Sequence, residues 1–183
     1  MASVPGSAYV HIPFCRRRCF YCDFPISVLG NQQRGETSLS VEGYVEVLCG
    51  EILTTPPLGS SLQTVFFGGG TPSLLSVAQV ERVLATLDQQ FGIDPGAEIS
   101  MEMDPGTFDL DHLKGYLGAG VNRISLGVQA LDDAILESCG RYHRVVDVYQ
   151  AAAWLHQVAM PNWSLDLISG LPHLTMEIWE SSL

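Results

Sequence analysis

Short runs of alternating apolar and polar residues recur along this chain. Longer runs with an apolar residue at every third or fourth position separate them. The alternating runs predict strands at Ala8–Ile12, Thr64–Phe67, Glu98–Met103, Arg123–Val128 and Trp163–Ile168. The longer runs predict helices. Val41, Tyr44, Val45, Leu48 and Ile52 share one helical face behind a candidate Ser40 N-cap. Val77, Val80, Leu84, Leu87 and Phe91 share another, opened by a Ser76/Gln79 capping box. Leu110, Leu113 and Leu117 give a shorter third. Val145, Val148, Ala152 and Leu155 give a fourth, after a short turn at Asp132–Leu136. Thr175–Leu183 begins a fifth. Such β-then-α units predict an α/β fold with a parallel sheet and right-handed crossovers. The polar stretch Gly30–Ser38 and the turn-rich Pro56–Ser61 read as connections rather than domain boundaries, so residues 1–183 read as one unit.

The parity of the strands sharpens this picture. Ile99, Met101 and Met103 oppose Glu98, Ser100 and Glu102, and Ile124, Leu126 and Val128 oppose Ser125, Gly127 and Gln129. Leu165 and Leu167 oppose Ser164 and Asp166; Val10 and Ile12 oppose Tyr9 and His11. A parallel sheet covered by helices on both faces reads as continuous apolar runs, not as alternation. One face therefore packs on helices and the other is polar. The expected architecture is a partial parallel (β/α) barrel of about five units, its interior a ligand cavity lined by Tyr9, Glu102, Gln129 and Asp166. The alternative is an open sheet with one wet face.

Composition removes several classes. Of 183 residues 46% are hydrophobic and 16% charged, which excludes a disordered chain. Nine Lys and Arg against 20 Asp and Glu give a net charge of −11, which repels phosphate backbones and argues against a nucleic-acid partner. No apolar run reaches the roughly 18 residues of a membrane span. Met1–Ser7 carries no leader pattern, so a cytoplasmic protein is expected, or a plastid or mitochondrial matrix protein if a transit peptide is missing. The five cysteines are an odd number, which fits a reducing compartment better than a disulfide framework.

Three of those cysteines, Cys15, Cys19 and Cys22, form a C-x3-C-x2-C run directly after the first strand, at the C-terminal mouth of the sheet where ligand sites of such folds lie. Three thiolates on so short a loop suit one face of an iron–sulfur cluster and leave one iron open, since clusters ligated fully by protein take four cysteines. Zinc fits less well: Asp23 and the upstream His11 are poor candidates for a fourth soft ligand. Cys49 and Cys139 fall at a helix and after a turn, and read as packing residues.

The motifs Tyr9-Val10-His11-Ile12-Pro13-Phe14-Cys15 and Cys22-Asp23-Phe24 resemble the radical S-adenosylmethionine (SAM) superfamily, more narrowly the oxygen-independent coproporphyrinogen III oxidase-like family. The resemblance continues through Phe66–Ser73, Glu102–Thr107, Gly120–Gln129, Gly140–His143 and Ser164–Pro172. It implies a [4Fe–4S] cluster on Cys15, Cys19 and Cys22 and reductive cleavage of SAM to a 5′-deoxyadenosyl radical. It implies SAM contacts from Gly69, Gly70 and Thr71 to the methionyl end and from Tyr21 to the adenine. Tyr9 would reach the SAM carboxylate or a cluster sulfide, and Glu102 the ribose or amine. Gln129, Arg141 and Asp166 match positions that bind nucleoside-type groups. On physical grounds alone Arg141 reads as a solvated loop arginine, and Asp166 as an inward carboxylate that needs partners.

Two branches of that family differ at one position. The oxidases resemble C-x3-C-x2-C-x-C, and Phe24 stands where their fourth cysteine lies. The resemblance is therefore to the heme chaperone branch, which implies heme binding, an electron donor and an acceptor protein into which heme is inserted. Oxygen-independent porphyrinogen decarboxylation is the alternative, and a non-catalytic iron–sulfur or zinc module a further one. The family core has a sixth β/α unit and a C-terminal domain, neither of which this sequence contains, so the core is expected to be incomplete. The run Arg16-Arg17-Arg18 reads as a solvated loop, as compensation for cluster charge, or as a docking surface for an electron donor. His112, His143, His156 and His173 are scattered; any one could ligate heme, but a helical or loop histidine is more often structural, and they are read so.

Overall fold

A computed structural model describes residues 5–31, 34–57 and 59–183. Most of the N-terminal stretch read for targeting signals, Met1–Val4, lies outside the described residues, as do Gln32, Gln33 and Leu58 within the two connections. Five strands form one parallel sheet: β1 (Ser7–Ile12), β4 (Leu62–Gly69), β5 (Ile93–Met103), β6 (Arg123–Gln129) and β7 (Asn162–Leu167), in that spatial order. Two short strands, β2 (Phe14–Cys15) and β3 (Ser27–Val28), form a separate parallel ribbon. The helices are α1 (Leu39–Thr54), α2 (Val77–Phe91), α3 (Leu110–Gly118), α4 (Asp133–Ser138), α5 (Val145–Gln157) and α6 (Met176–Ser181). Among the described residues no helix is long and apolar enough to cross a membrane.

The alternation does what its parity predicts. Met101, Met103, Ile124, Leu126 and Val128 are fully buried in the core, together with Val65, Phe67, Val10 and Ile12 of β4 and β1. Helix residues Val41, Val45, Val80, Val83, Leu113 and Leu155 close over them. Each such side chain contributes about 1.5–3 kcal/mol by leaving water. Edge position breaks the pattern in β7, where Leu165 stays 41% exposed.

Local chemistry sets the element ends. Ser76 accepts from the Gln79 N–H while the Gln79 side chain accepts from the Ser76 N–H, the reciprocal box expected for α2. The cap of α1 is Ser38 rather than Ser40: its hydroxyl accepts from the Val41 N–H and the helix starts at Leu39. Asp132–Leu136 is not a bare turn but opens α4, with the Asp132 carboxylate accepting from the Ile135 N–H. Strand β5 begins earlier than its alternation, at Ile93. Its pairing with β4 shifts register between Leu62↔Ile93 and Thr64↔Glu98. Asp94-Pro95-Gly96 falls in that gap, where Pro95 has no N–H to give a ladder.

Candidate functional site

The cysteine loop is pinched shut at its base. The Ser27 N–H donates to the Pro13 carbonyl at 2.6 Å and the Leu29 N–H to the Cys15 carbonyl at 2.9 Å, so residues 16–26 project from the end of β1 as one closed loop. Beside it, β4 ends in Gly68-Gly69-Gly70. Gly69 holds φ +111°, and a Cβ there would lie 2.5 Å from the His11 ring. A Cβ on Gly70 would lie 2.7 Å from the Phe14 carbonyl oxygen and 3.0 Å from Cys15 Sγ. Only glycine lets β4 meet the cysteine loop this closely. The approach is fixed by the Gly70 N–H to the Ile12 carbonyl (2.8 Å) and the Thr71 N–H to the Phe14 carbonyl (2.7 Å).

A cavity of about 430 Å³ opens between this loop and the C-terminal ends of the strands. Its walls include all three cysteines, Tyr21, Gly69, Gly70, Thr71, Glu102, Gln129, Arg141 and Asp166. Eleven of the twelve residues anticipated for the site thus surround one space. Tyr9 is not among its walls. It lies 59% exposed near the start of β1, its hydroxyl 3.1 Å from His11 Nδ1. Asp166 is also more exposed than an inward carboxylate was expected to be, and is held by the Ser125 hydroxyl at 2.7 and 2.8 Å.

Charges converge here. Glu102 accepts from the Gly69 N–H at 3.0 Å. Burial, with Asp166 and Asp104 nearby, raises its pKa despite that bond. Burial pushes the Cys15 thiol up to about 11, although the Thr71 hydroxyl, 3.5 Å from its sulfur, opposes the shift. A cation beside the thiol would reverse this, because the thiolate is the ligand form.

Arg141 is the largest departure from expectation. It is 7% exposed, not solvated. Its Nη2 donates to Asp104 Oδ1 at 2.6 Å and to the Gly127 carbonyl at 2.8 Å, while Nη1 lies 3.4 Å from the Tyr21 hydroxyl and 3.7 Å from Cys19 Sγ. Burial opposes its charge, but the Asp104 carboxylate foremost, with the Tyr21 hydroxyl and Cys19 sulfur beside it, outweighs that and raises its pKa. Below it His143 is buried, Nε2 3.2 Å from the Val128 carbonyl and Nδ1 3.3 Å from Arg141 Nη2. The carbonyl fixes the proton on Nε2, so Nδ1 faces the guanidinium as an acceptor. Burial first, and the Arg141 charge second, lower its pKa to about 4.

Asp104, Ser125 and His143 line the cavity and were not singled out from sequence as site residues. Asp104 and Ser125 carried a signal: Asp104 continues the parity of Glu102 past the end of β5, and Ser125 shares that of Gln129. Gln129 itself has φ +69°, where a non-glycine residue is strained by about 1–3 kcal/mol, and sits where β6 and β7 shift register.

The donors suit an iron–sulfur cluster better than a lone ion. Among the described residues no three His, Cys, Asp or Glu side chains converge on a single point. A cluster binds each thiolate on a different iron, so its ligands need only surround a space, as these three do.

The sequence profile of the Radical SAM superfamily matches residues 9–183. The heme chaperone HemW of Synechocystis sp. is 54% identical over 184 residues, covering 98% of this chain and 43% of that protein. The oxygen-independent coproporphyrinogen III oxidase of the same organism is 29% identical over 182 residues, covering 98% of this chain and 38% of its own length. A solved structure of the Escherichia coli coproporphyrinogen III oxidase (HemN), described as a radical SAM enzyme, superposes with a TM-score of 0.85 at 31% identity, over 98% of this chain and 40% of that one. The chain spans less than half the length of these relatives.

Proposed function

The chain belongs to the radical SAM superfamily, and from that premise we propose that it holds a [4Fe–4S] cluster on Cys15, Cys19 and Cys22, binds SAM in the adjoining cavity, and serves as a heme chaperone that carries heme to acceptor proteins. The observation that carries the reading is the single cavity that the three-cysteine loop shares with Gly69-Gly70-Thr71, Glu102 and Arg141. When bound, the cluster and SAM supply one-electron reductive cleavage at the sulfonium.

The chain's own residues do the rest. Gly69 and Gly70 bring bare backbone into the cavity wall beside the loop, where it faces the methionyl end. Thr71, between Cys15 Sγ (3.5 Å) and Asp104 Oδ2 (3.3 Å), offers a hydroxyl there. Glu102 and Asp166 accept from the hydroxyls or amine of the bound nucleoside, and Gln129 offers its amide. Arg141 ties the loop to the sheet through Asp104 and the Gly127 carbonyl, and so fixes Tyr21 for the adenine.

The chaperone reading is favoured over the oxidase reading by two facts. Within one organism the identity is 54% to the chaperone and 29% to the oxidase. Phe24, 53% exposed in the cavity wall, also stands where the oxidases resemble a cysteine. A hemin titration followed by absorption, run beside a coproporphyrinogen III assay with SAM and reductant, tests the choice. Hemin binding without protoporphyrinogen formation is the expected result. Protoporphyrinogen in the assay would overturn the chaperone assignment.

A further inference from the structure

The chain has nine basic residues against 20 acidic ones. Six of the nine, Arg34, Arg82, Lys114, Arg123, Arg141 and Arg144, each reach a carboxylate. Arg16, Arg17 and Arg18 form no ion pair among the described residues. Arg18 serves its own loop, donating to the Cys22 and Phe24 carbonyls at 3.0 and 3.1 Å. Arg16 and Arg17 instead line the cavity, and both guanidinium groups lie over the ring of Tyr142, at 4.9 and 5.4 Å from its centroid.

Arg16 is anchored but not satisfied. Its Nη1 donates to the Gly106 carbonyl at 2.8 Å, which fixes the fork, while its Nε is buried without an acceptor. Arg34 Nε, Arg141 Nε and Arg144 Nη1 are likewise buried without an acceptor, but of these four arginines only Arg16 and Arg141 line the cavity, where a donor left unmade, at a cost of about 1–3 kcal/mol, leaves a place for a ligand acceptor. Two guanidinium groups over one ring repel each other, and an anion between them would relieve it. Beside them the same wall is apolar, with Phe24 and Ile26.

We infer that Arg16 and Arg17 form a carboxylate-binding rim that takes the propionate groups of a flat tetrapyrrole, its macrocycle resting against Tyr142, Phe24 and Ile26. The chemistry matches in number and kind. Heme carries two neighbouring carboxylates on one edge of an apolar plane, and the rim offers two neighbouring guanidinium groups at the edge of an aromatic and aliphatic wall. SAM has one carboxylate, and the groups assigned to its methionyl end, Gly69, Gly70 and Thr71, stand at or just past the end of β4. The inference rests on the heme-carrying reading above.

The test compares hemin with hemin dimethyl ester, which keeps the macrocycle and loses both charges. Each is titrated by absorption into the reconstituted chain, into the double variant Arg16→Gln/Arg17→Gln, and into the remote control Arg82→Gln. Iron content and SAM binding by equilibrium dialysis are measured alongside. Wild type and the control should bind hemin about tenfold or more tighter than the ester, whereas the double variant should bind both alike at the level of the ester. Its iron and SAM content should be unchanged. Equal affinity of wild type for acid and ester would overturn the rim and leave the heme reading standing. Failure to bind either compound would sink the heme reading and the rim with it. Loss of SAM with hemin binding intact would assign the arginines to SAM and also overturn the inference.

Discussion

Arg141 shows what a single residue's sequence neighbourhood hides. Between a glycine and a tyrosine on a connection it reads as solvated, yet its partners Asp104 and the Gly127 carbonyl come from the ends of β5 and β6. Only the fold brings them together. Asp104→Ala leaves a buried guanidinium without its counter-charge and should destabilise the protein by about 3 kcal/mol in urea unfolding. That is the low end for a buried pair, since Asp104 keeps 26% of its side chain exposed. A loss below 0.5 kcal/mol would show that the pair is solvated after all. His143 gives a pH signature. It stays neutral in the folded protein down to about pH 4, whereas an unfolded histidine takes up its proton near 6.5. Between those values the unfolded state binds more protons, so this residue's contribution to stability falls as the pH drops from about 6.5 to 4, by about 3 kcal/mol at most. The His143→Gln variant should lack this component in a stability-versus-pH profile. Superimposable profiles for the two proteins would contradict the buried neutral tautomer.

At the scale of elements, period and chemistry carried much of the reading. The apolar faces of β5 and β6 were legible because side chains alternate, and α2 because its capping box is local. The cysteine spacing marked the loop. Other features were not local. The cap of α1 is Ser38 rather than Ser40, because the Val41 N–H bonds to the Ser38 hydroxyl and Ser40 already lies within the helix. Leu165 looked like core but lies on an edge strand, and Tyr9 shares the polar face of the site without reaching the cavity. The glycine end of β4 was a weak signal whose meaning depends on the loop opposite. Gly70→Ala would press a methyl against the Phe14 carbonyl and Cys15 Sγ, and should lower iron loading after reconstitution as well as cost about 1–3 kcal/mol of stability. Normal iron content in that variant would mean that the loop has slack the structure does not show. Cys15→Ser, Cys19→Ser and Cys22→Ser should each deplete iron. Cys49→Ser and Cys139→Ser, buried at 6% and 2% exposure, should not. An empty site in either of the last two would contradict the assignment of ligands.

For the molecule as a whole, the parallel sheet has one face closed by helices and the other open to the cavity, with every anticipated site residue except Tyr9 in its wall. The charge distribution follows the same geometry. In a chain of net charge −11, the arginines without an ion pair among the described residues, Arg16, Arg17 and Arg18, all lie on the cysteine loop. The chain spans 43% of its Synechocystis chaperone relative. The most direct measurement is anaerobic reconstitution with iron and sulfide, addition of SAM and dithionite, and quantification of 5′-deoxyadenosine. The account predicts 5′-deoxyadenosine that requires each of Cys15, Cys19 and Cys22 and falls at least tenfold with Glu102→Ala at unchanged iron content, about 1.4 kcal/mol of lost nucleoside contact. A reconstituted cluster whose spectrum ignores SAM and which yields no 5′-deoxyadenosine would contradict it.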